Sequence, residues 1–215
     1  MLGSRVQEEA MNAKEASLGR RNVRFGVYWT LASGLGLGVG SVISHPLSSD
    51  FPPLIAWAVL GVCIGTAQSL VLRGRIPGAI WWVPASIAGW LSLAVLHPSL
   101  SFMESDDLAR LFAAGVALAL THAIILRSLL PSARSWVWWA LAGGVAMVGA
   151  GFFGNIAGWI VYDFTSNTDW ADRSGVAAGG LILGLITFFP LMLLLRELSF
   201  SPSNRSRFRD ELRSS

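Results

Sequence analysis

Residues 61–90 read GVCIGTAQSLVLRGRIPGAIWWVPASIAGW, and this stretch decides the fold. Two apolar runs flank the polar turn Arg73-Gly74-Arg75-Ile76-Pro77-Gly78. A helix needs about 20 apolar residues to cross a hydrocarbon core of roughly 30 Å. Followed outward from the turn, the runs predict spans over 53–72 and 79–96. Further runs at 25–44, 108–126, 136–161 and 175–195 bring the total to six. The runs are continuous rather than alternating, whereas strands of a membrane barrel need only about 10 residues of alternating pattern. The expected fold is therefore an all-α integral membrane protein with six transmembrane helices. Its membrane domain covers 24–197, between an N-terminal tail (1–23) and a basic C-terminal tail (198–215), both polar and expected to be mobile. The longest run, 136–161, is expected to tilt or kink around Gly149, Gly151, Gly154 and Gly158.

Composition points the same way. The chain of 215 residues is 53% hydrophobic and 13% charged, about half the charge of a soluble domain. Its one cysteine, Cys63, excludes an intramolecular disulfide and a cysteine metal cluster. The single lysine, Lys14, precedes the first span, which excludes a retinal Schiff base within the membrane. A net charge of +3 does not signal nucleic acid here, because the basic residues edge the apolar runs. Counted on alternate sides of the six spans, Lys and Arg fall 14 against 2. The rich side, with both termini, is expected to be cytoplasmic. The opposite loops carry Asp50, Glu104, Asp106, Asp107, Asp163, Asp169 and Asp172. No clear small-x-small cleavage site precedes His45-Pro46, so the first span is read as a retained helix.

A second stretch, GVALALTHAIILRSLLPSARSWVWWALAG (115–143), parallels the first. Gly61, Gln68, Arg73 and Pro77 recur 54 positions later as Gly115, His122, Arg127 and Pro131. Trp81 and Trp82 correspond to Trp138 and Trp139, while Trp29, Ala32, Ser33 and Gly36 match Trp82, Ala85, Ser86 and Gly89. Gly180 and Gly184 resemble Gly61 and Gly65 more weakly. Three parallel-repeat hairpins around a pseudo-threefold axis are the expected arrangement. Every span carries small residues four apart: Gly36/Gly40, Gly61/Gly65, Ala85/Gly89, Gly115/Ala119, Gly154/Gly158 and Gly180/Gly184. Such stripes let helix backbones approach closely in lipid.

Polar residues within spans are the candidate sites, since each needs a partner away from water. Gln68 and His122 both lie five residues before an arginine, about 7.5 Å inside the boundary, and are expected to converge with Thr121 and Thr187. Such a cluster binds a small solute or relays protons, or it simply bonds helices together. On the acidic side, His45 and His97 precede prolines and read as turn residues, with a divalent metal as the alternative. Asn155 lines an outer vestibule or stabilises a glycine-rich helix. Arg73, Arg75, Arg127 and Arg134, with Trp81, Trp82, Trp138 and Trp139, form an expected headgroup-facing rim. No Gly-x-Ser-x-Gly, His-Glu-x-x-His or P-loop occurs, and no acidic residue lies deep in a span.

The unit Gly-x-x-x-Gly-x-x-Gln-x-Leu-Val-Leu-Arg (61–73), followed by the Trp-Trp helix (81–90), resembles uncharacterised small multi-span proteins of bacteria. The resemblance covers most of the membrane region and implies a bacterial inner-membrane location without supplying catalytic residues. The second copy departs from it by having His122 in place of Gln68. The resulting expectation is a non-enzymatic accessory, scaffolding or sensory bundle that needs no cofactor or metal. Its expected partners are the bilayer, anionic headgroups, and a protein or a second copy of the chain. A solute-binding or transport component around Gln68, Thr121, His122 and Thr187 is the alternative.

Overall fold

The computed structural model describes residues 2–50, 52–76, 78–96, 108–129 and 135–200. They form six helices and no strand: α1 (Leu2–Asp50), α2 (Pro53–Leu72), α3 (Trp82–Leu96), α4 (Leu108–Leu129), α5 (Ser135–Thr165) and α6 (Thr168–Phe200). Four stretches are long and apolar enough to cross a membrane: Gly19–Pro46, Leu54–Leu72, Val137–Thr165 and Thr168–Leu193. Two shorter apolar helices, Ala79–Ala94 and Phe112–Ile124, complete the set. The chain is an all-α, multi-pass membrane protein.

Local chemistry sets the helix ends. Pro53 opens α2, where its missing N–H would have lacked a partner anyway. Between α2 and α3 the backbone N–H groups of Arg75 and Ile76 both donate to the Leu72 carbonyl. Gly78 then takes φ 74°, a left-handed conformation that a side chain would resist, and a 3₁₀ turn over Ala79–Trp81 leads into α3. This turn is tied to α1: Arg75 Nη2 donates to the Arg21 carbonyl at 3.2 Å, and its guanidinium sits 4.2 Å over the Phe25 ring. At the other end of the bundle, Asn167 Oδ1 accepts the Trp170 N–H at 3.0 Å and caps α6.

The helices pack in chain order, each against the next, and α6 returns to α1 to close a ring. The small-residue stripes mark these seams. A Cβ on Gly36 would lie 2.7 Å from Ile64 Cα, and one on Gly61 would lie 2.7 Å from Ile87 Cα. Gly89 faces Leu118, Gly154 faces the Gly175 carbonyl, and Gly180 faces the Ser33 carbonyl. At the α4–α5 seam a Cβ on Gly115 would land on the Gly143 carbonyl. Each stripe therefore serves one joint of the ring.

The outward faces of the bundle are apolar, unlike those of a soluble domain, while its interior holds polar groups among apolar ones. Leu35, Leu70, Ile124, Leu185 and Phe189 point outward and are exposed, while Ser33, Gln68, Ser86, His122 and Thr187 are buried at the centre. An outward apolar belt is what lipid requires. Two buried clusters line the interior along its length, one around Trp29, Trp82 and Trp139 and the other around Trp90, Leu93 and Met147.

Two expectations change. The 1–23 tail is not a separate segment, because from Leu2 onward it continues α1 as helix. The His45-Pro46 pair does not end the first helix. Pro46 lies inside α1, and His45 Nε2 approaches Asp169 Oδ1 of α6 at 3.8 Å. Proline removes a single backbone donor, which a helix braced by a neighbour tolerates. The fifth helix runs as one α-helix through Gly149, Gly151, Gly154 and Gly158, and Gly154 and Gly158 make close contact with α6. His97, Arg134 and residues 201–215 of the C-terminal tail lie outside the described residues.

The seams give a direct prediction. Gly115→Ala must push α4 from α5 and should cost about 1–3 kcal/mol, as overpacking does. Gly74→Ala, with nothing within 4 Å of the added methyl, should change stability by less than about 0.5 kcal/mol. Thermal unfolding in one detergent checks both.

Candidate functional site

The buried polar residues form a set of interhelical bonds around the ring's centre. Three tryptophans at equivalent places on α1, α3 and α5 supply the indoles: Trp29, Trp82 and Trp139, exposed 1%, 3% and 3%. Each stands beside an even-numbered helix that carries a polar residue in the corresponding place: Thr187 on α6, Gln68 on α2 and His122 on α4. Trp29 Nε1 donates to Thr187 Oγ1 at 3.1 Å. Trp82 Nε1 donates to Gln68 Oε1 at 2.8 Å.

Serines one turn beyond two of the tryptophans extend the pattern. Gln68 Nε2 donates to Ser33 Oγ at 2.9 Å, and Ser33 passes its own proton to the Trp29 carbonyl at 3.0 Å. Ser86 Oγ lies 2.9 Å from His122 Nε2. The other ring nitrogen, Nδ1, is 2.9 Å from the Leu118 carbonyl, which can only accept. Nδ1 therefore carries the proton, Nε2 is the acceptor, and the Ser86 hydroxyl donates to it. The His122 ring also packs against Trp82, with centroids 4.5 Å apart.

The third unit departs from the other two. Gly143 stands one turn beyond Trp139, where α1 has Ser33 and α3 has Ser86. Thr187 instead turns its hydroxyl to the Leu183 carbonyl at 2.7 Å. Trp139 Nε1 is buried with no hydrogen-bond acceptor among the described residues. A cavity of about 30 Å³ opens among these groups, lined by Trp29, Gln68, Trp82, Ser86, His122, Trp139 and Thr187 together with apolar residues.

Gln68, His122 and Thr187 thus converge as their positions suggested. Thr121 does not: it is half-buried at the α3–α4 seam near Gly89, and its hydroxyl bonds the Leu118 carbonyl at 2.6 Å. The expected aromatic rim divides in two. Trp81 and Trp138 are 63% and 65% exposed and face outward, whereas Trp82 and Trp139 turn inward to the cavity. Neighbouring helix residues point about 100° apart, so a Trp-Trp pair cannot lie on one face. Arg73 is exposed at the turn, and the side chain of Arg127 lies outside the described set. Asn155 is half-buried on α5, about 18 Å along the axis from Gly143. Among the described residues, no three His, Cys, Asp or Glu side chains group to hold a metal.

Ser33 and Ser86 were missed as site residues, although the two parallel stretches already contained them. Trp29/Ser33/Gly36 and Trp82/Ser86/Gly89 share an i, i+4, i+7 face, which puts serine, indole and seam on one stripe. The Ser86–His122 pair has the outline of a nucleophile and its base. The imidazole, however, is oriented by a backbone carbonyl rather than a carboxylate, and its counterpart in the preceding unit is a plain Ser33–Gln68 bond. No protein family, curated protein or solved structure matches this chain.

The network predicts a measurable coupling. Gln68→Leu deprives the Trp82 N–H of its acceptor and should cost about 1–3 kcal/mol. In a double-mutant cycle with Trp82→Phe the coupling should be about 0.6 and at most ~1.7 kcal/mol. Additive losses would show that the bond contributes nothing.

Proposed function

We propose that this protein is a non-enzymatic bundle of the bacterial inner membrane, a rigid accessory or scaffolding subunit rather than a carrier. The observation that supports this is the centre of the ring. Gln68 and His122 spend their hydrogen bonds on Ser33, Trp82, Ser86 and the Leu118 carbonyl, and the cavity between them is about 30 Å³. That volume suits one or two water molecules and excludes an ordinary metabolite. Polar groups bonded across helices at the core favour one arrangement of helices, which suits a part that holds its shape.

Four further elements belong to this reading. The ring descends from a hairpin copied twice, as the corresponding Trp29/Trp82/Trp139 and Gln68/His122/Thr187 positions suggest. Both termini and the Arg73–Arg75 turn face the cytoplasm, in keeping with the 14 to 2 division of basic residues. At that face Arg73 and Arg75, with the exposed indoles of Trp81 and Trp138, meet anionic headgroups. The outward apolar belt offers sites for lipid, a partner helix or a second copy.

Two measurements test this. In a Cys63→Ser background, a cysteine at Arg75 should react with an impermeant maleimide only from the cytoplasmic side, and one at Asn167 only from outside. The reverse pattern would overturn the orientation. Vesicles containing the protein should pass small solutes no faster than empty ones. Saturable flux lost in Gln68→Ala/His122→Ala would replace the scaffold with a carrier.

A further inference from the structure

We propose that the hub of the ring is a binding site for a single small neutral oxygen acceptor, a water molecule, held on the indole N–H of Trp139. Two independent observations meet there. Trp139 is 97% buried by its 3% exposure, and its Nε1 has no acceptor among the described residues. The same residue lines a cavity of about 30 Å³. A water needs roughly 10–15 Å³ of such space and two to four polar partners.

The reason for the unmatched donor lies in the chemistry of one substitution between the repeats. In the first unit an amide fills the polar position: Gln68 Oε1 accepts from Trp82 while Nε2 donates to Ser33. An amide has both an acceptor and a donor, so it serves both neighbours. In the second unit the position is His122. With Nδ1–H committed to the Leu118 carbonyl, a neutral imidazole retains one lone pair, at Nε2, and Ser86 takes it. Nothing is left for Trp139. In the remaining unit a hydroxyl oxygen suffices, because Thr187 can accept from Trp29 and still donate to the Leu183 carbonyl.

The cavity walls can complete the water's own bonds. Thr187 Oγ1 and Gln68 Oε1 each keep a second lone pair, and Gln68 Nε2 keeps a second N–H. Among the described residues no carboxylate, lysine or arginine lines the space, so an ion would be buried without a countercharge, at a steep desolvation cost. Volume and charge together select a neutral molecule the size of water.

The test uses the full chain in lipid nanodiscs with ¹⁵N-labelled indoles. Trp139→Phe, which keeps an aromatic ring and loses the N–H, identifies the Trp139 resonance. That indole proton should show a cross-peak at the water frequency. In His122→Gln the new side-chain carbonyl should take the N–H, as Gln68 does for Trp82, and the cross-peak should vanish while the other nine indole resonances persist. A wild-type Trp139 proton with no contact to water would overturn the site, whatever the variants do. A contact to a non-exchangeable proton of an organic molecule would overturn water as its occupant. Persistence of the water contact in a folded His122→Gln protein would overturn the explanation from the imidazole's single lone pair.

Discussion

Everything in this bundle depends on how closely helix backbones approach at the small-residue seams. Lipid gives apolar side chains no reason to leave it, so helices associate through packing and internal hydrogen bonds. Where Gly115 meets the Gly143 carbonyl, or Gly180 meets the Ser33 carbonyl, the absence of a side chain brings the two axes together. Only at that spacing does the indole of Trp82 reach Gln68, or that of Trp29 reach Thr187. The polar hub is thus a product of the glycine stripes. The bonds at the hub in turn help fix which helix faces which, because a donor in an apolar surrounding must find its acceptor within the protein.

Much of this was legible in the sequence, for physical reasons. Apolar length sets helix number, so the boundaries of α2 (Pro53–Leu72) and of the stretch from Ala79 to Leu96 agree with the runs that encode them. The offset between Trp29/Ser33 and Trp82/Ser86 already contained the inward stripe, since residues four apart share a helix face. What could not be read was direction. A Trp-Trp pair at the end of an apolar run matches the usual role of aromatic anchors, and only the ring shows that Trp81 and Trp138 are exposed outward while Trp82 and Trp139 are turned inward. Thr121 was misjudged by one position. It neighbours His122 in sequence, yet 100° of helix rotation directs it to the seam. Pro46 was misjudged for a tertiary reason, since α1 continues through it alongside α6, where His45 and Asp169 approach each other.

The three polar residues at the hub differ in chemistry, and this is where the fold becomes specific. Amide, imidazole and hydroxyl occupy one structural place, and their differing numbers of lone pairs and protons make three different joints. A strictly symmetric hub could close equally well in any of its three rotations. With Gln68 bonding two neighbours, His122 only one hydroxyl and Gly143 none, each helix has a distinct partner. Buried polar groups are best attested in this role of setting register.

The closure of the ring between α6 and α1 also has a consequence for biosynthesis. Every other joint links helices adjacent in the chain, so each new segment leaving the ribosome finds its mate already inserted. The Trp29 indole, in contrast, waits for Thr187, 158 residues later. Until the final helix arrives, the first carries a donor with no acceptor and an open seam at Gly34 and Ser33. A nascent chain halted before α6 is therefore left with a marked edge, a feature by which membrane quality control can tell an unfinished product from a completed one.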